Sequence, residues 1–296
     1  KNTNVSGFAS VDMTAFKKYK FPIPPLEIQQ EIVKILDAFT ELNTELNTEL
    51  NTELKARKKQ YEYYQNMLLD FNDIKQNHKD AKMSAKMSAK TYPKRLKSLL
   101  QTLAPKGVEF RKLGEVLEYD QPNKYCVTSK EFDESYPTPV LTAGKTFILG
   151  YTNEKDNIYQ ASKSSPVIIF DDFTTATQWV DFPFKVKSSA MKILLPKNPT
   201  INIRFIFFYM QTIPYNISGE HTRQWISRYS QITIPIPPLE IQQEIVKILD
   251  QFLALTTDLL AGIPAEIEAR KKQYEYYREK LLAFKPLTPH KEVKKC

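Results

Sequence analysis

PIPPLEIQQEIVKILD occupies Pro22–Asp37, and the same sixteen residues return unchanged as Pro235–Asp250, 213 positions later. The offset holds downstream. ARKKQYEYY at Ala56–Tyr64 recurs at Ala269–Tyr277, and Leu68, Leu69 and Phe71 recur as Leu281, Leu282 and Phe284. One element of about fifty residues is therefore present twice, and a duplication of this length decides the architecture before any other feature. Inside the first copy Ile28, Ile32, Ile35, Phe39, Leu42 and Leu46 fall at alternating steps of four and three, the pattern of a helix with a partner along its seam. Pro22, Pro24 and Pro25 fix an extended entry to it.

From Glu41 the text becomes ELNT three times and then EL, placing Leu42, Leu46, Leu50 and Leu54 at steps of four only. At about 100° per residue such a stripe drifts by about 40° per repeat, away from a heptad seam. Gain or loss of one repeat would change the helix by about 6 Å and rotate what it carries. Two readings stand: an adjustable spacer, or a low-complexity helix with no metrical role. The unbroken helix from Leu26 to the vicinity of Phe71 would be about 70 Å long. In the second copy Ala261, Gly262, Ile263 and Pro264 replace the repeats, so a kink or break is expected there, with Pro264 opening a new segment.

Between the copies the period changes. TPVLT at 138–142, KTFILGYT at 145–152, PVIIF at 166–170 and AMKILL at 190–195 are short β-branched and aromatic runs between turn residues, which argues for strands. INIRFIFFYMQTI, 201–213, reads as a buried helix, with a strand as the competing reading; Lys94–Leu103 is a basic amphipathic segment. The expected fold class is α+β: a mixed α/β domain flanked by two long helices that form an antiparallel coiled-coil-like spacer. The expected divisions are 1–21, which the offset aligns with the end of the central domain and which reads as the C-terminal stub of a first domain; 22–72, spacer helix; 73–93, a solvated linker containing KMSAKMSAK; 94–234, the central domain; 235–285, the second spacer helix; and 286–296, a tail.

The chain has 296 residues and a formal net charge of +8, a balance that points to a polyanionic partner. No apolar run approaches the roughly 20 residues of a membrane span, so the reading is a soluble, cytoplasmic protein with no membrane partner. With two cysteines, neither a disulfide framework nor a thiolate metal site is supported. Seven glycines without a phosphate-loop pattern argue against a nucleotide site. His78, His221 and His290 share no metal-ligand spacing. Asp171 and Asp172 close an apolar strand, but FKVK at 184–187 brings no acidic partner, so the pair reads as turn chemistry before it reads as a nuclease site. No catalytic set and no metal site emerge, and binding is the better class.

Arg and Lys can grip phosphate or guanine edges, Gln and Asn adenine edges, and aromatic rings can pack on sugars and bases. The DNA-contact candidates are Lys124; Lys145 and Thr146; Gln178 and Trp179; and His221, Arg223, Gln224, Trp225 and Arg228 in HTRQWISRYS, which reads as a place for contact and not core. Lys145, Gln178, Arg223 and Gln224 are the first choices for base readout. On the helices Tyr61, Tyr64, Tyr274 and Tyr277 either bind a partner or pack the helix pair.

The duplicated IPIPPLEIQQEIVKILD-type motif, the tetrapeptide repeats and ARKKQYEYY, flanking LTAGKTFILGYTNE, VIIFDDFTTATQWVDF and HTRQWIS, resemble the specificity subunit of type I restriction and modification systems, of the IC-like group with tetrapeptide spacers. The resemblance implies a non-catalytic subunit in which recognition domains at opposite ends of two antiparallel helices each read half of a split double-stranded DNA target. It further implies docking of two methyltransferase subunits, which bind S-adenosylmethionine and modify adenine, and of restriction motor subunits through them. Only one complete recognition domain, 94–234, is expected here. An N-terminal domain outside the sequence, or pairing with a second specificity chain or a second copy, would complete the target. A basic DNA-binding coiled-coil scaffold or regulator outside restriction and modification is the competing class.

Overall fold

A computed structural model of the chain describes residues 3–6, 8–11, 13–72, 92–142, 146–214 and 222–284. Lys145, His221, His78, His290 and the KMSAKMSAK stretch lie outside them. The chain divides into two compact units, 1–57 with 256–296, and 58–255.

The first unit opens with β1 (Thr3–Ser6) and β2 (Phe8–Val11), an antiparallel pair, and the short α1 (Met13–Lys17). Two 44-residue helices follow the duplicated sequence, α2 (Leu26–Leu69) and, at the far end of the chain, a helix spanning Leu239–Leu282. Each contributes part of its length to each unit, the start of one with the end of the other. In the first unit Phe39 packs on Tyr277 with ring centroids 5.3 Å apart, and in the second Tyr64 stacks on Phe252 at 4.7 Å. Under the sequence offset Phe39 corresponds to Phe252 and Tyr64 to Tyr277, so the two contacts are copies of one another.

Along the repeats the threonine hydroxyls form a ladder. Thr40 donates to the Leu36 carbonyl, Thr44 to Thr40, Thr48 to Thr44 and Thr52 to Thr48, each at 2.8 Å. A threonine every four residues always finds the carbonyl one turn back. The leucine stripe drifts as a step of four requires: Leu42 is exposed, whereas Leu46, Leu50 and Leu54 are half-buried. The expected new segment at Pro264 does not occur. The second long helix continues through Pro264 to Leu282, because a proline deletes only one hydrogen bond while the helical arms on both sides and burial of the neighbouring Ile263 keep the turns together.

In the second unit come α3 (Lys94–Leu103), β3 (Glu109–Lys112), α4 (Leu113–Val116), β4 (Leu117–Asp120), β5 (Thr138–Leu141), β6 (Ile148–Thr152), β7 (Val167–Asp171), β8 (Thr177–Val180), β9 (Lys185–Val186), β10 (Met191–Pro196), α5 (Ile203–Met210), β11 (Thr233–Ile236) and then α6, the Leu239–Leu282 helix. The central sheet has the order β4-β10-β7-β8, all antiparallel; a second has the order β6-β5-β9, and β11 pairs with β3. VIIF in β7 is apolar without alternation because both faces of the central sheet are covered. Ile168 and Phe170 face a core with α3, α5 and α6, while Val167 and Ile169 face a smaller core with Leu141, Phe184 and Val186. Within the 201–213 stretch Ile203–Met210 is a helix, as its apolar density suggests. Asn202 caps it by accepting from the Arg204 and Phe205 amides, the usual device for unpaired first-turn donors.

The sixteen duplicated residues occupy two different environments. In α6 Ile241, Ile245 and Leu249 are buried, Glu244 pairs with Arg95 at 3.0 Å, and Arg204 grips Asp250 at 2.8 Å. Gln242 accepts from the Asn202 amide at 2.8 Å and donates to the carbonyls of Pro237 at 2.7 Å and Thr200 at 3.1 Å. In α2 the counterpart of Ile241, Ile28, is 47% exposed against 0%, and Gln29 keeps only the local half of the clasp, a 2.6 Å bond to Pro24.

Candidate nucleic-acid interface

One end of the central sheet gathers five connecting segments, because antiparallel pairing brings the end of β4, the end of β7 and the start of β10 together: Asp120 faces Ile193 and Asp171 faces Met191. Hydrogen bonds join the segments. The Gln121 side-chain amide donates to the Ser189 carbonyl at 3.1 Å, the Asp172 amide to Ala190 at 3.2 Å, the Lys187 amide to Leu141 at 2.8 Å, the Thr142 amide to Phe147 at 2.9 Å, and the Gln224 amide to Asp172 at 2.8 Å. Segments 121–125, 142 with 146–147, 171–176, 187–190 and 222–228 therefore form one face.

On this face Lys124 is exposed, 4.0 Å from Asp120 and 4.8 Å from the Tyr125 ring centre. Thr146 is exposed just ahead of β6, and Arg223 is 48% exposed. Gln178 is exposed on β8, the second residue after the turn at 171–176. Lys187, absent from the contact candidates, is exposed with its ammonium 5.4 Å from the Phe132 ring centre. In sequence the FKVK stretch draws notice only for its lack of an acidic partner, and with both lysines on the same parity of the strand nothing local separates buried Lys185 from exposed Lys187. The expected contact candidates Lys145 and His221 lie outside the described residues.

Three candidates, Gln224, Trp225 and Trp179, are buried or half-buried. Gln224 and Trp225 are buried, contrary to the expectation that HTRQWIS is contact and not core. Trp225 packs against Phe170 at 5.1 Å and Tyr229 at 6.2 Å, and the Gln224 side chain donates to Thr222. An indole inside a row of polar residues is still about 200 Å² of apolar surface to remove from water, and the loop folds inward to do so. Trp179 is half-buried on the α5 side, its ring 4.5 Å from the Arg204 guanidinium and 5.7 Å from Phe207. Arg228 is exposed, its amide bonded to the Gln224 carbonyl.

The carboxyl pair separates into two roles. Asp171 shapes the β7–β8 turn: one oxygen accepts from the Phe173 and Thr174 amides and the other from the Thr174 hydroxyl. Thr175 at φ 60° completes that turn in the left-handed region, a conformation that costs a β-branched residue on the order of 1 kcal/mol or more. Asp172 is fully buried. Its Oδ1 accepts from the Trp225 amide at 2.9 Å, while Oδ2 lies 3.5 Å from the Lys192 ammonium and 3.9 Å from Arg223. Lys192, also buried, donates to Gln121 and sits 4.9 Å from the Tyr119 ring centre. Among the described residues no three His, Cys, Asp or Glu side chains are grouped as a metal site.

A second ion pair, between buried Lys185 and half-buried Glu154, fixes the neighbouring β5–β6 side. Lys185 donates to Glu154 at 2.8 Å and to the Asp156 carbonyl at 2.9 Å. Burial pushes the Glu154 carboxyl up, but the Lys185 ammonium, the Ser129 and Thr128 amides and the Thr128 hydroxyl outweigh it and hold the group down at about 2.

On the helices the tyrosines divide by exposure. Tyr61 is half-buried, and burial pushes its hydroxyl up to about 12, opposed by the nearby Arg204 charge and reinforced by Asp250. Tyr64 stacks on Phe252, Tyr277 lies tilted against Phe39 while remaining 41% exposed, and Tyr274 is half-buried. The most exposed rings of the two clusters are Tyr63, 62% exposed, and Tyr276, 56% exposed. They meet their neighbours Tyr64 and Tyr277 edge-on at 5.5 Å and 74°, and 5.4 Å and 76°. The offset relates these residues too, so one aromatic arrangement is built twice.

The type I restriction modification DNA specificity domain family matches residues 1–56 and 105–269 of the chain. The chain is 55% identical over 188 residues to the specificity subunit of the EcoR124I/EcoR124II type I restriction enzyme of Escherichia coli, over 60% of this chain and 45% of that subunit. It thus spans less than half the length of that relative. Among solved structures, a chain from a study of complex assembly and conformational transition of the type I R-M system superimposes with a TM-score of 0.60 at 16% identity, over 94% of this chain and 64% of that one. The type I restriction-modification S subunit from M. genitalium gives 0.51 at 17% identity, over 96% and 69%. At these identities the likeness is one of fold.

Proposed function

The chain belongs to the type I restriction-modification DNA specificity family, and from that membership we propose that it reads part of a bipartite double-stranded DNA target and docks methyltransferase subunits, with restriction motor subunits joining through them. The observation that carries the reading is the single face at one end of the central sheet, where Lys124, Lys187, Arg223 and Gln178 are presented on segments that hydrogen bonds hold to a rigid sheet. Lysines supply phosphate contacts that position the duplex, and Arg223 and Gln178 supply the forked and amide donors that distinguish base edges. Residues of the helices carry no catalytic set in this reading. S-adenosylmethionine belongs to the methyltransferase subunits, and the chain acts with them in the cytoplasm; among the described residues no helix is long and apolar enough to cross a membrane.

For docking, the twice-built Tyr63 and Tyr276 arrangement supports a partner that binds two equivalent epitopes. Exposed aromatic rings held edge-on by a second ring are pre-ordered anchors, the residue type that dominates interface energetics. The test is capture of methyltransferase subunits by the chain carrying Tyr63→Ala and Tyr276→Ala. Capture should fall at least about tenfold in the double variant and part-way in each single one. Full capture by the double variant would remove these residues from the docking surface.

A further inference from the structure

The buried Asp172 joins three things at the recognition face, and its two oxygens are used unequally. Its carbonyl accepts from the Gln224 amide and its Oδ1 from the Trp225 amide, so the 222–228 segment hangs from this one residue. Its own amide donates to Ala190 ahead of β10. Oδ2 is fully buried, makes no hydrogen bond among the described residues, and faces two cations. Of those, Lys192 is buried and engaged with Gln121, whereas Arg223 reaches solvent.

We propose that Asp172 is a positioning residue for sequence readout: its buried charge steers the Arg223 guanidinium to one place on the recognition face. At 3.9 Å the attraction is long for a hydrogen bond, so it orients the guanidinium without consuming the five donors that an arginine offers to a base edge or phosphate. Lys192 keeps the carboxylate compensated when Arg223 turns to DNA. A buried charge that would otherwise lose a partner resists such departures, and here the second cation removes that resistance. The inference rests on the reading of this face as a DNA surface.

The experiment uses the chain assembled with its methyltransferase subunits. A random-sequence duplex library is selected for binding, and the affinity ratio of the enriched sequence to a scrambled duplex is measured for the unaltered chain, Asp172→Asn, Arg223→Ala and the double variant. Asparagine keeps an acceptor for the Trp225 amide and removes the charge. The expected result is that Asp172→Asn lowers the ratio at least about fivefold in the unaltered background and by less than about twofold once Arg223 is alanine. An equal loss in both backgrounds, or none in the first, overturns the assignment. A second measurement needs no substitution: relaxation of the arginine Nε–H groups in the DNA-free chain should find Arg223 more ordered than Arg228, and equal mobility overturns the steering. If the unaltered complex enriches no sequence, the DNA-reading function falls together with this inference. Enrichment without coupling overturns the inference alone.

Discussion

Replacing Gln242 by alanine, and Gln29 by alanine in the identical sequence of α2, separates what the sequence contributes from what its surroundings contribute. Gln242 makes three hydrogen bonds, to the Asn202 amide, the Pro237 carbonyl and the Thr200 carbonyl, from a buried position. Its loss strands the Asn202 amide at the start of α5, at about 1–3 kcal/mol, and removes two further bonds of about 0.5–1.5 kcal/mol each. About 3 kcal/mol is therefore expected. Gln29 shares only the Pro24 bond, so its replacement should cost about 1 kcal/mol or less. Both tryptophans of the chain, Trp179 and Trp225, lie in the 58–255 unit, so their fluorescence in urea follows that unit alone. With a urea dependence of about 2 kcal/mol/M, Gln242→Ala should lower the midpoint by about 1.5 M and Gln29→Ala should leave it unchanged. Equal shifts from the two substitutions, or a Gln242→Ala shift under about 0.3 M, would refute the claim that this clasp fastens the recognition domain to its helix.

Two further outcomes follow from the same structure. The Glu154 carboxyl, held at about 2 against an ordinary 4.5, contributes stability that is present above the ordinary value and is lost as pH falls from about 4.5 toward 2. Glu154→Gln should thus cost about 2 kcal/mol at neutral pH, where it leaves the buried Lys185 with only the more distant Asp156 carboxylate at 4.0 Å, and the gap to the unaltered chain in urea midpoint should close on acidification; a gap independent of pH would contradict the pairing. Gly262 sits inside a helix, and a Cβ added there would meet no heavy atom within 4 Å. Gly262→Ala should therefore raise helix stability by about 0.5–1 kcal/mol, seen as a higher melting temperature by far-ultraviolet circular dichroism. A lower one would mean that the site is more crowded than its geometry shows.

The parts of this fold that repeat or alternate were legible in the sequence. The heptad-like steps pointed to two long helices, continuous apolar runs to strands with both faces covered, and the density of INIRFIFFYMQTI to α5. Local sequence could not separate the two copies of PIPPLEIQQEIVKILD, because periodicity specifies a helix and a face but not what meets that face. It also placed Gln224 and Trp225 outside, since nothing in HTRQWISRYS announces that Asp172, 53 residues away, will draw the segment inward. Pro264 reads as an interruption because propensity counts the lost hydrogen bond and not the tertiary support. Conversely, the tyrosine cluster stands out in the sequence as a feature, while the choice of the most exposed rings required seeing that Tyr64 and Tyr277 pack on the opposite helix.

The central claim is that segments at one end of the sheet determine which DNA the complex acts on. Mapping adenine methylation on random-sequence DNA, with methyltransferase subunits supplied by the unaltered chain and then by Arg223→Ala, addresses it most directly. Methylation at a defined motif that relaxes at particular positions in the variant, with modification retained elsewhere in the motif, is the result predicted. Methylation that needs no chain at all, or an identical motif from both, would contradict it.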